Sequence, residues 1–218
     1  MTNSYGPSIV RDGLVLCLDA ADRNCYTGSG STVYDLSGNG NNGSMTNVSY
    51  STNNRGYFTF NGSNSIIYIG SPSYTTFTSF SYNAWVRANS GALGYRTIID
   101  LQNDNFLFAA QNYYFILYDP NFNTGYTLAA NQWYNLSISH DHSSAGYFYV
   151  NGNLVYTSSN FSNSHTITSY GIGAGVSSPT GGNEVWAGNI AQASIYNRGL
   201  TASEILQNYN ATKGRFGL

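Results

Sequence analysis

Facing carboxylates are the first chemistry to look for, because two acids across a glycosidic bond hydrolyse glycans. The sequence contains two glutamates, Glu184 and Glu204. Glu204 belongs to the run Thr201-Ala-Ser-Glu204, which is typical of a helix capping box and commits its carboxylate to that role. No Glu-x-Asp-x-x-Glu pattern occurs, and the aspartates are not paired at strand spacing. The sequence therefore predicts a protein with no catalytic residues, which is not an enzyme.

A cluster with metal-ligand chemistry occurs at His140-Asp141-His142. On a β-strand, His140 and His142 would share a face and could bind a metal together. The segment 140–145 is polar and small, however, and lies between two apolar runs, so it is predicted to be a loop. We therefore favour a solvated loop over a metal site.

The two cysteines, Cys17 and Cys25, are a second possible reactive pair. Cys17 lies in a predicted strand and Cys25 in a loop, so a disulfide between them stays open. No secretory signal is recognised at the start of the sequence, and this favours free thiols.

Composition limits the partners of the chain. Of 218 residues, 41% are hydrophobic and 16% aromatic, but only 8% are charged, against an average of about 25%. The polar surface must therefore consist largely of amides and hydroxyls. The formal net charge of −2 excludes the basic footprint of a nucleic-acid-binding protein. No apolar stretch reaches the length of a membrane span. We therefore expect neither a nucleic acid nor a membrane as a partner.

Regular alternation in segment 132–156 predicts an antiparallel meander. Leu136 and Ile138 are separated by Ser137, as in a strand with one apolar face. The pair Asn151-Gly152 is typical of a tight type I′ hairpin turn. Short runs of this kind recur along the chain without a linker, which indicates one β domain.

One helix is predicted near the end of the chain. The capping box places its start at Thr201, and Ile205, Leu206 and Tyr209 would form its buried stripe. Gly214 is expected to end it. We therefore predict a domain over residues 13–211, an N-terminal tail over 1–12 and a C-terminal tail over 212–218.

Several short runs follow one another in a specific order. They are GLVLCLDA, DLSGNGNNG, FNGSNSII, SYNAWV, WYNL, VNGNLV and IYNRGLTASEI. In this order and spacing they resemble the LamG-like jelly rolls of the concanavalin A-like superfamily. The resemblance implies an all-β fold, a two-sheet antiparallel jelly-roll sandwich with one short C-terminal helix.

The resemblance also implies a possible cofactor, because many LamG-like domains carry calcium at a rim. Calcium requires hard oxygen ligands. Where relatives often have adjacent aspartates, this chain has Asn64 followed by serine, which offers no charge. Asp35, Asp100 and Asp104 are the other candidate ligands. No cofactor other than calcium is expected, and its affinity should be reduced.

Sugar binding is the other expectation, since tyrosine, asparagine and tryptophan can stack on sugars and bind their hydroxyls. Tyr95, Asn183, Glu184 and Trp186 lie in predicted loops or at strand ends and are the candidate ligand-binding residues. The alternative is that the aromatic side chains fill the core and the asparagines cap edge strands.

The final run, LQNYNATKGRFGL from Leu206, resembles the C-termini of LamG-like structural proteins from tailed phages, cyanophages especially. The resemblance implies a non-enzymatic virion protein, a capsid decoration or fibre component, assembled in the host cytoplasm. Its partners would be other virion proteins (capsid or tail) and further copies of itself. Arg215, Phe216 and Leu218 would form an assembly tail. The alternative is a glycan-binding host-attachment adhesin, with a host surface glycan as its partner.

Overall fold

The predicted strands pair into two antiparallel sheets that pack face to face. The protein is described by a computed structural model, which covers residues 8–92, 94–101, 107–111, 114–118, 122–141, 145–159, 165–176 and 184–218. The strands are β1 (Leu14–Asp19), β2 (Thr32–Val33), β3 (Gly43–Thr46), β4 (Ser49–Ser51), β5 (Tyr57–Asn61), β6 (Ile66–Gly70), β7 (Thr76–Phe77), β8 (Phe80–Ala88), β9 (Tyr95–Leu101), β10 (Leu107–Gln111), β11 (Tyr114–Tyr118), β12 (Phe122–Thr127), β13 (Tyr134–His140), β14 (Ala145–Val150), β15 (Asn153–Ser159), β16 (His165–Thr166), β17 (Ser169–Ile172) and β18 (Ala187–Tyr196). The helical segments are the 3-10 turn η1 (Asn53–Arg55), the α-helix α1 (Ala202–Thr212) and the 3-10 turn η2 (Lys213–Phe216).

The topology is that of a jelly-roll sandwich, as the resemblance to LamG-like domains implied. The first sheet has the order β15-β14-β13-β8-β18-β5-β4, and β1 also pairs with β18 beyond the end of β5. The second sheet has the order β12-β11-β10-β9-β17-β6-β3-β2, and β7 pairs separately with β16. Neither α1 nor another helix in the described ranges is long and apolar enough to span a bilayer.

The core lies between the two sheets and follows the predicted alternation. On β8, Tyr82, Ala84 and Val86 point inward and are fully buried. Leu136 and Ile138 do the same on β13, which pairs with β8. Burying such side chains contributes roughly 1.5–3 kcal/mol each, so the meander stabilises the centre of the first sheet. Its Asn151-Gly152 turn has positive φ values at both residues, as predicted.

The outward face of the first sheet is also buried, under α1. Asn83 and Asn135 exchange amide hydrogen bonds of 3.1 and 3.2 Å across β8 and β13, and Asn83 donates to Ser137 Oγ at 2.6 Å. Ser139 Oγ donates to the carbonyl of Leu200 just before the helix. These polar side chains therefore form a hydrogen-bonded layer rather than a solvent-exposed surface.

The predicted capping box of α1 is confirmed. The Thr201 hydroxyl accepts the backbone N–H of Glu204, and the Glu204 carboxylate accepts the N–H of Thr201. Ile205 is buried as predicted, but Leu206 is 45% exposed, so its assignment to the buried stripe was wrong. Asn208 is buried instead, because its amide satisfies a backbone N–H and a tyrosine hydroxyl beneath the helix.

The C-terminal residues fold back on the first sheet. Gly214 lies inside η2, so its prediction as the helix stop was wrong, and the left-handed residue is Gly217. The Phe216 ring stacks on Trp85 with 4.1 Å between centroids. Leu218 is half exposed. Because the tail is engaged within the chain, it contributes to the walls of a cleft.

Candidate binding cleft

A cleft of about 540 Å³ opens where the end of β1, the turn η1 and the C-terminal helical segments meet. Five charged side chains line it, namely Asp19, Asp22, Arg23, Arg55 and Arg215. The whole sequence has eight basic and ten acidic residues, so a large share of its few charges converges on one small region. The lining is therefore unlike the amide-and-hydroxyl surface that composition predicts for the rest of the molecule.

Arg215 holds the base of the cleft together. Its Nη1 donates to Asp19 Oδ1 at 2.7 Å, and its Nη2 donates to the carbonyl oxygen of Gly56 at 3.0 Å. Solvent reaches only 7% of the Arg215 side chain and 18% of the Asp19 side chain. The guanidinium thus joins the C-terminal segment to β1 and to η1 through charge-assisted bonds.

The turn η1 presents Arg55 from a strained backbone. Asn54 and Arg55 have φ values of +49° and +66°, in the left-handed region that side chains disfavour. Asn54 Nδ2 donates to the carbonyl of Arg215 at 3.1 Å. Gly56 follows with φ +138°, and a Cβ there would collide with the carbonyl oxygen of Ala20. Only glycine permits this close approach to the chain after β1.

The opposite wall is the turn that follows β1. The N–H of Asp22 donates to the carbonyl of Asp19 at 3.0 Å, and Asp22 Oδ1 accepts the N–H of Asn24 at 2.8 Å. The carboxylate therefore organises its own turn, as aspartate does in many tight turns. Arg23 lies at the exposed tip between these two residues. The turn thus places one acidic side chain, Asp22, and one basic side chain, Arg23, at the mouth of the cleft.

Aromatic packing fixes the C-terminal wall. Phe216 lies between Trp85 and Trp133, with centroid distances of 4.1 and 4.7 Å. Trp85 Nε1 donates to Thr212 Oγ1 at 2.7 Å. Such ring pairs contribute about 0.5–1.5 kcal/mol beyond their buried area. The wall that carries Arg215 is therefore anchored to Trp85 of the first sheet.

The predicted sugar-binding residues lie elsewhere. Tyr95 and Glu184 come to the same end of β9, because the Glu184 carbonyl accepts the N–H of Thr97 at 2.7 Å. Trp186 is fully buried in the core, so it is a core residue and its predicted role as a surface platform was wrong. An indole is large and apolar enough to be retained inside. Asn183 lies outside the described residues.

The predicted calcium ligands are dispersed. Asp35 accepts the N–H groups of Cys17 and Asn41, whereas Asn64 hydrogen-bonds Asn61 in the turn before β6. Asp100 is buried on β9, where its carboxylate accepts the N–H of Val176. Asp104 lies outside the described residues. Within the described ranges no three acids, histidines or cysteines are grouped as metal ligands, and calcium binding stays a prediction.

The histidine and cysteine pairs can also be placed. His140 is buried at the end of β13, so the prediction that it belongs to the loop was wrong, while His142 lies outside the described residues. Cys17 and Cys25 are both buried free thiols. Burial raises the pKa of each thiol to about 12. At neutral pH both are thus protonated and unreactive.

Sequence reasoning did not find the cleft. Its walls come from residues near 19–23, 55 and 211–215, which no local periodicity links. The signal was compositional, since a chain with so few charges places several in the runs DAADRN and NNRG. A smaller cavity of about 260 Å³ at the other end of α1 is lined by Asp141, Tyr147 and Ala202. This smaller cavity serves as a control site in the binding experiments proposed below.

Comparison with protein families gives one match. The family model described as Concanavalin A-like lectin/glucanases superfamily matches residues 60–206, more than half of the chain. The charged residues of the cleft lie outside that range. No curated protein sequence matches the chain.

Solved structures with the same fold are numerous. Domain 4 of AbnA, an extracellular arabinanase from Geobacillus stearothermophilus in complex with arabinotriose, has a TM-score of 0.69 at 18% identity and covers 90% of this chain and 98% of its own. Trypanosoma rangeli sialidase in complex with sialic acid has a TM-score of 0.70 at 17% identity, covering 93% of this chain and 33% of its own. The binding domain of Paraclostridial Mosquitocidal Protein 1 has a TM-score of 0.70 at 16% identity, covering 92% and 52%. The chain therefore spans nearly all of the arabinanase domain but only a third to a half of the other two. At these identities the likeness establishes the jelly-roll fold.

Proposed function

The chain belongs to the concanavalin A-like lectin/glucanases superfamily, and from that premise we propose that it is a carbohydrate-binding domain whose glycan occupies the charged cleft. The observation that supports this proposal is the convergence of five charged side chains on the cleft. Carboxylates accept hydrogen bonds from sugar hydroxyls, and guanidinium groups donate to them in a fixed planar geometry. A cleft of about 540 Å³ falls within the roughly 300–1,000 Å³ range of ligand pockets.

Pre-organisation supports the same proposal. Asp19 and Arg215 are fixed by their ion pair and by the backbone of η1, so the base of the cleft does not reorganise when a ligand enters. Binding to a rigid site avoids part of the entropic cost of ordering side chains. Domain 4 of the arabinanase shares the fold and was solved with arabinotriose, which makes an oligosaccharide the natural first ligand class to examine.

We propose binding without hydrolysis. Glycosidases use two carboxyl groups on opposite sides of the scissile bond. Asp19 is held by Arg215, and Asp22 is the other acid in the cleft. Glu204 is engaged by Arg198 and the helix start. The proposal is thus a lectin activity, tested by the absence of reducing-sugar release from any glycan that binds.

A pair of substitutions at the two ends of α1 tests the location of the site. Ala211 lines the charged cleft, and Ala202 lines the smaller cavity. We expect Ala211→Trp to fill the cleft and weaken glycan binding at least about tenfold, a loss of about 1.4 kcal/mol, measured by titration calorimetry on a hit from a glycan array. Ala202→Trp, the matched control, should leave affinity unchanged. The opposite pattern would move the site to the smaller cavity, and an array without hits would refute glycan binding.

A second candidate function is a structural role in a phage particle, as a capsid decoration or fibre component. This second proposal is based on the sequence of residues 206–218, which resembles the C-termini of tailed-phage structural proteins, and on the low content of charged residues, 8% of the chain. Arg215, Phe216 and Leu218 would then contribute to assembly, with Leu218 the most exposed of the three. Cosedimentation with empty capsids, and the copy number in purified particles, test this role. A protein that binds glycans but never cosediments would be an adhesin instead.

A further inference from the structure

Two of the three arginines of the cleft, Arg23 and Arg55, differ from the other arginines in the chain. Each of the remaining five has a polar partner within the protein: Arg11 donates to Leu36, Arg87 to Asn189, Arg96 to Gly62 and Val185, Arg198 to Glu204 and Arg215 to Asp19. Arg23 and Arg55 are exposed and make no hydrogen bond or ion pair with any described residue. The two guanidinium groups that have no partner among the described residues are thus the two at the mouth of one cleft.

The backbone around Arg55 supports a functional reading. Two successive non-glycine residues, Asn54 and Arg55, have positive φ values. Such strain persists only where the surroundings hold it, and it tends to occur at functional sites. Here Arg215 and Gly56 hold the turn in place. The fold therefore maintains an unfavourable conformation at the position from which Arg55 reaches the cleft.

Charge and lining point in the same direction. Three arginines face two aspartates in the cleft, an excess of one positive charge, whereas the whole chain carries −2. Its lining, as far as the described residues define it, has no aromatic ring on which a neutral sugar face could stack. Charge-assisted bonds are about twice as strong as neutral ones. A ligand in this cleft would therefore be held mainly by charge-assisted hydrogen bonds rather than by stacking on an aromatic ring.

We propose that the cleft selects acidic glycans, with Arg23 and Arg55 holding a carboxylate or sulfate group on the sugar. This inference rests on the proposed carbohydrate-binding function and adds the ligand class. The Asp22 carboxylate accepts a hydrogen bond from a neighbouring sugar hydroxyl, and it repels any second acidic group of the glycan that lies close to it. Arginine suits this role because its planar fork binds carboxylate and sulfate oxygens in a bidentate manner.

Titration calorimetry on a matched set of ligands tests the inference. The set is a uronic-acid trisaccharide, its neutral carboxyl-reduced form, and that reduced form carrying a sulfate ester. We expect wild-type protein to bind at least one acidic form about tenfold or more tightly than the neutral form, and the carboxylate and sulfate arms show which acid is preferred. The preference should weaken as salt rises.

Variants then assign the preference to the two arginines. The Arg23→Gln/Arg55→Gln double variant should bind acidic and neutral forms within about twofold of each other, while Arg11→Gln, an exposed arginine outside the cleft, should keep the wild-type preference. We expect the double variant to fold, since neither the Arg23 nor the Arg55 side chain has a partner among the residues that the structure describes, and circular dichroism checks this. Equal binding of neutral and acidic forms by wild type, or a preference that survives the double substitution, overturns the inference and leaves glycan binding intact. No binding of any glycan overturns the proposed function itself and the inference with it.

Discussion

The Asp19–Arg215 ion pair should contribute far more to stability than its surface counterpart, Asp12–Arg198. The two pairs have similar N···O distances, 2.7 and 2.8 Å, but the Asp12 side chain is 85% exposed. Arg215→Met keeps the aliphatic stem, removes the guanidinium from Asp19 and leaves the Gly56 carbonyl without that donor. Breaking a buried pair costs about 3–5 kcal/mol. Because solvent still reaches part of Asp19, we expect the lower end, about 3 kcal/mol. Asp12→Asn should cost only about 0.2–1 kcal/mol.

Chemical denaturation of a double-mutant cycle measures this difference. The cycle consists of Asp19→Asn, Arg215→Met and the double variant, and the coupling free energy should be about 2 kcal/mol. In a chain of this length a loss of 3 kcal/mol lowers Tm by roughly 6–12 °C, which thermal unfolding can resolve. Additivity of the two single substitutions within about 0.5 kcal/mol would refute the reasoning. So would an Asp12→Asn variant as unstable as Arg215→Met.

Three further outcomes follow from the structure. Gly56→Ala should destabilise the fold by about 2 kcal/mol or more in urea, because its φ is +138° and a Cβ would strike a backbone carbonyl; a neutral result would mean that η1 can shift. Hydrogen bonds from Arg198 lower the pKa of Glu204 to about 2, so its stabilisation is complete above its ordinary pKa of 4.5 and is lost as the pH falls from there towards 2. In urea unfolding, the free energy of unfolding should fall by about 1 kcal/mol over that pH interval. The Glu204→Gln variant should not show this fall. Burial raises the pKa of Cys17 and Cys25 to about 12, so a thiol reagent at pH 8 should label neither in the folded protein and both in urea; rapid labelling of the native state would contradict their placement.

Local patterns were enough to predict the strand faces and the start of the helix, whereas the two-sheet jelly roll was implied by the resemblance to LamG-like domains. The inward residues of β8 and β13 were predictable because side chains alternate at period two in any strand. The start of α1 was predictable because Thr201 and Glu204 are three residues apart and satisfy each other's backbone N–H groups. What alternation could not show was that the polar face of the first sheet would be covered. That outcome depends on where α1 packs, which is a tertiary property.

The cleft was beyond sequence reasoning for a related reason. Asp19 and Arg215 are separated by nearly the whole chain and meet only because the C-terminal segment folds back across the first sheet. The predicted sugar platform failed at Trp186 because residue type alone does not distinguish a surface indole from a core one. Tyr95 and Glu184, in contrast, do come to one end of β9, although no local pattern indicated that they would be neighbours.

The reciprocal amide pair beneath α1 constrains how this protein can diverge. Asn83 and Asn135 each donate to and accept from the other in a space closed to water. Changing either one alone strands a buried donor or acceptor, at a cost of about 1–3 kcal/mol, whereas replacing both with apolar groups of similar shape can be nearly neutral. Natural variants should therefore change these two positions together, and a collection of related sequences would show them as a correlated pair even though 51 residues separate them along the chain.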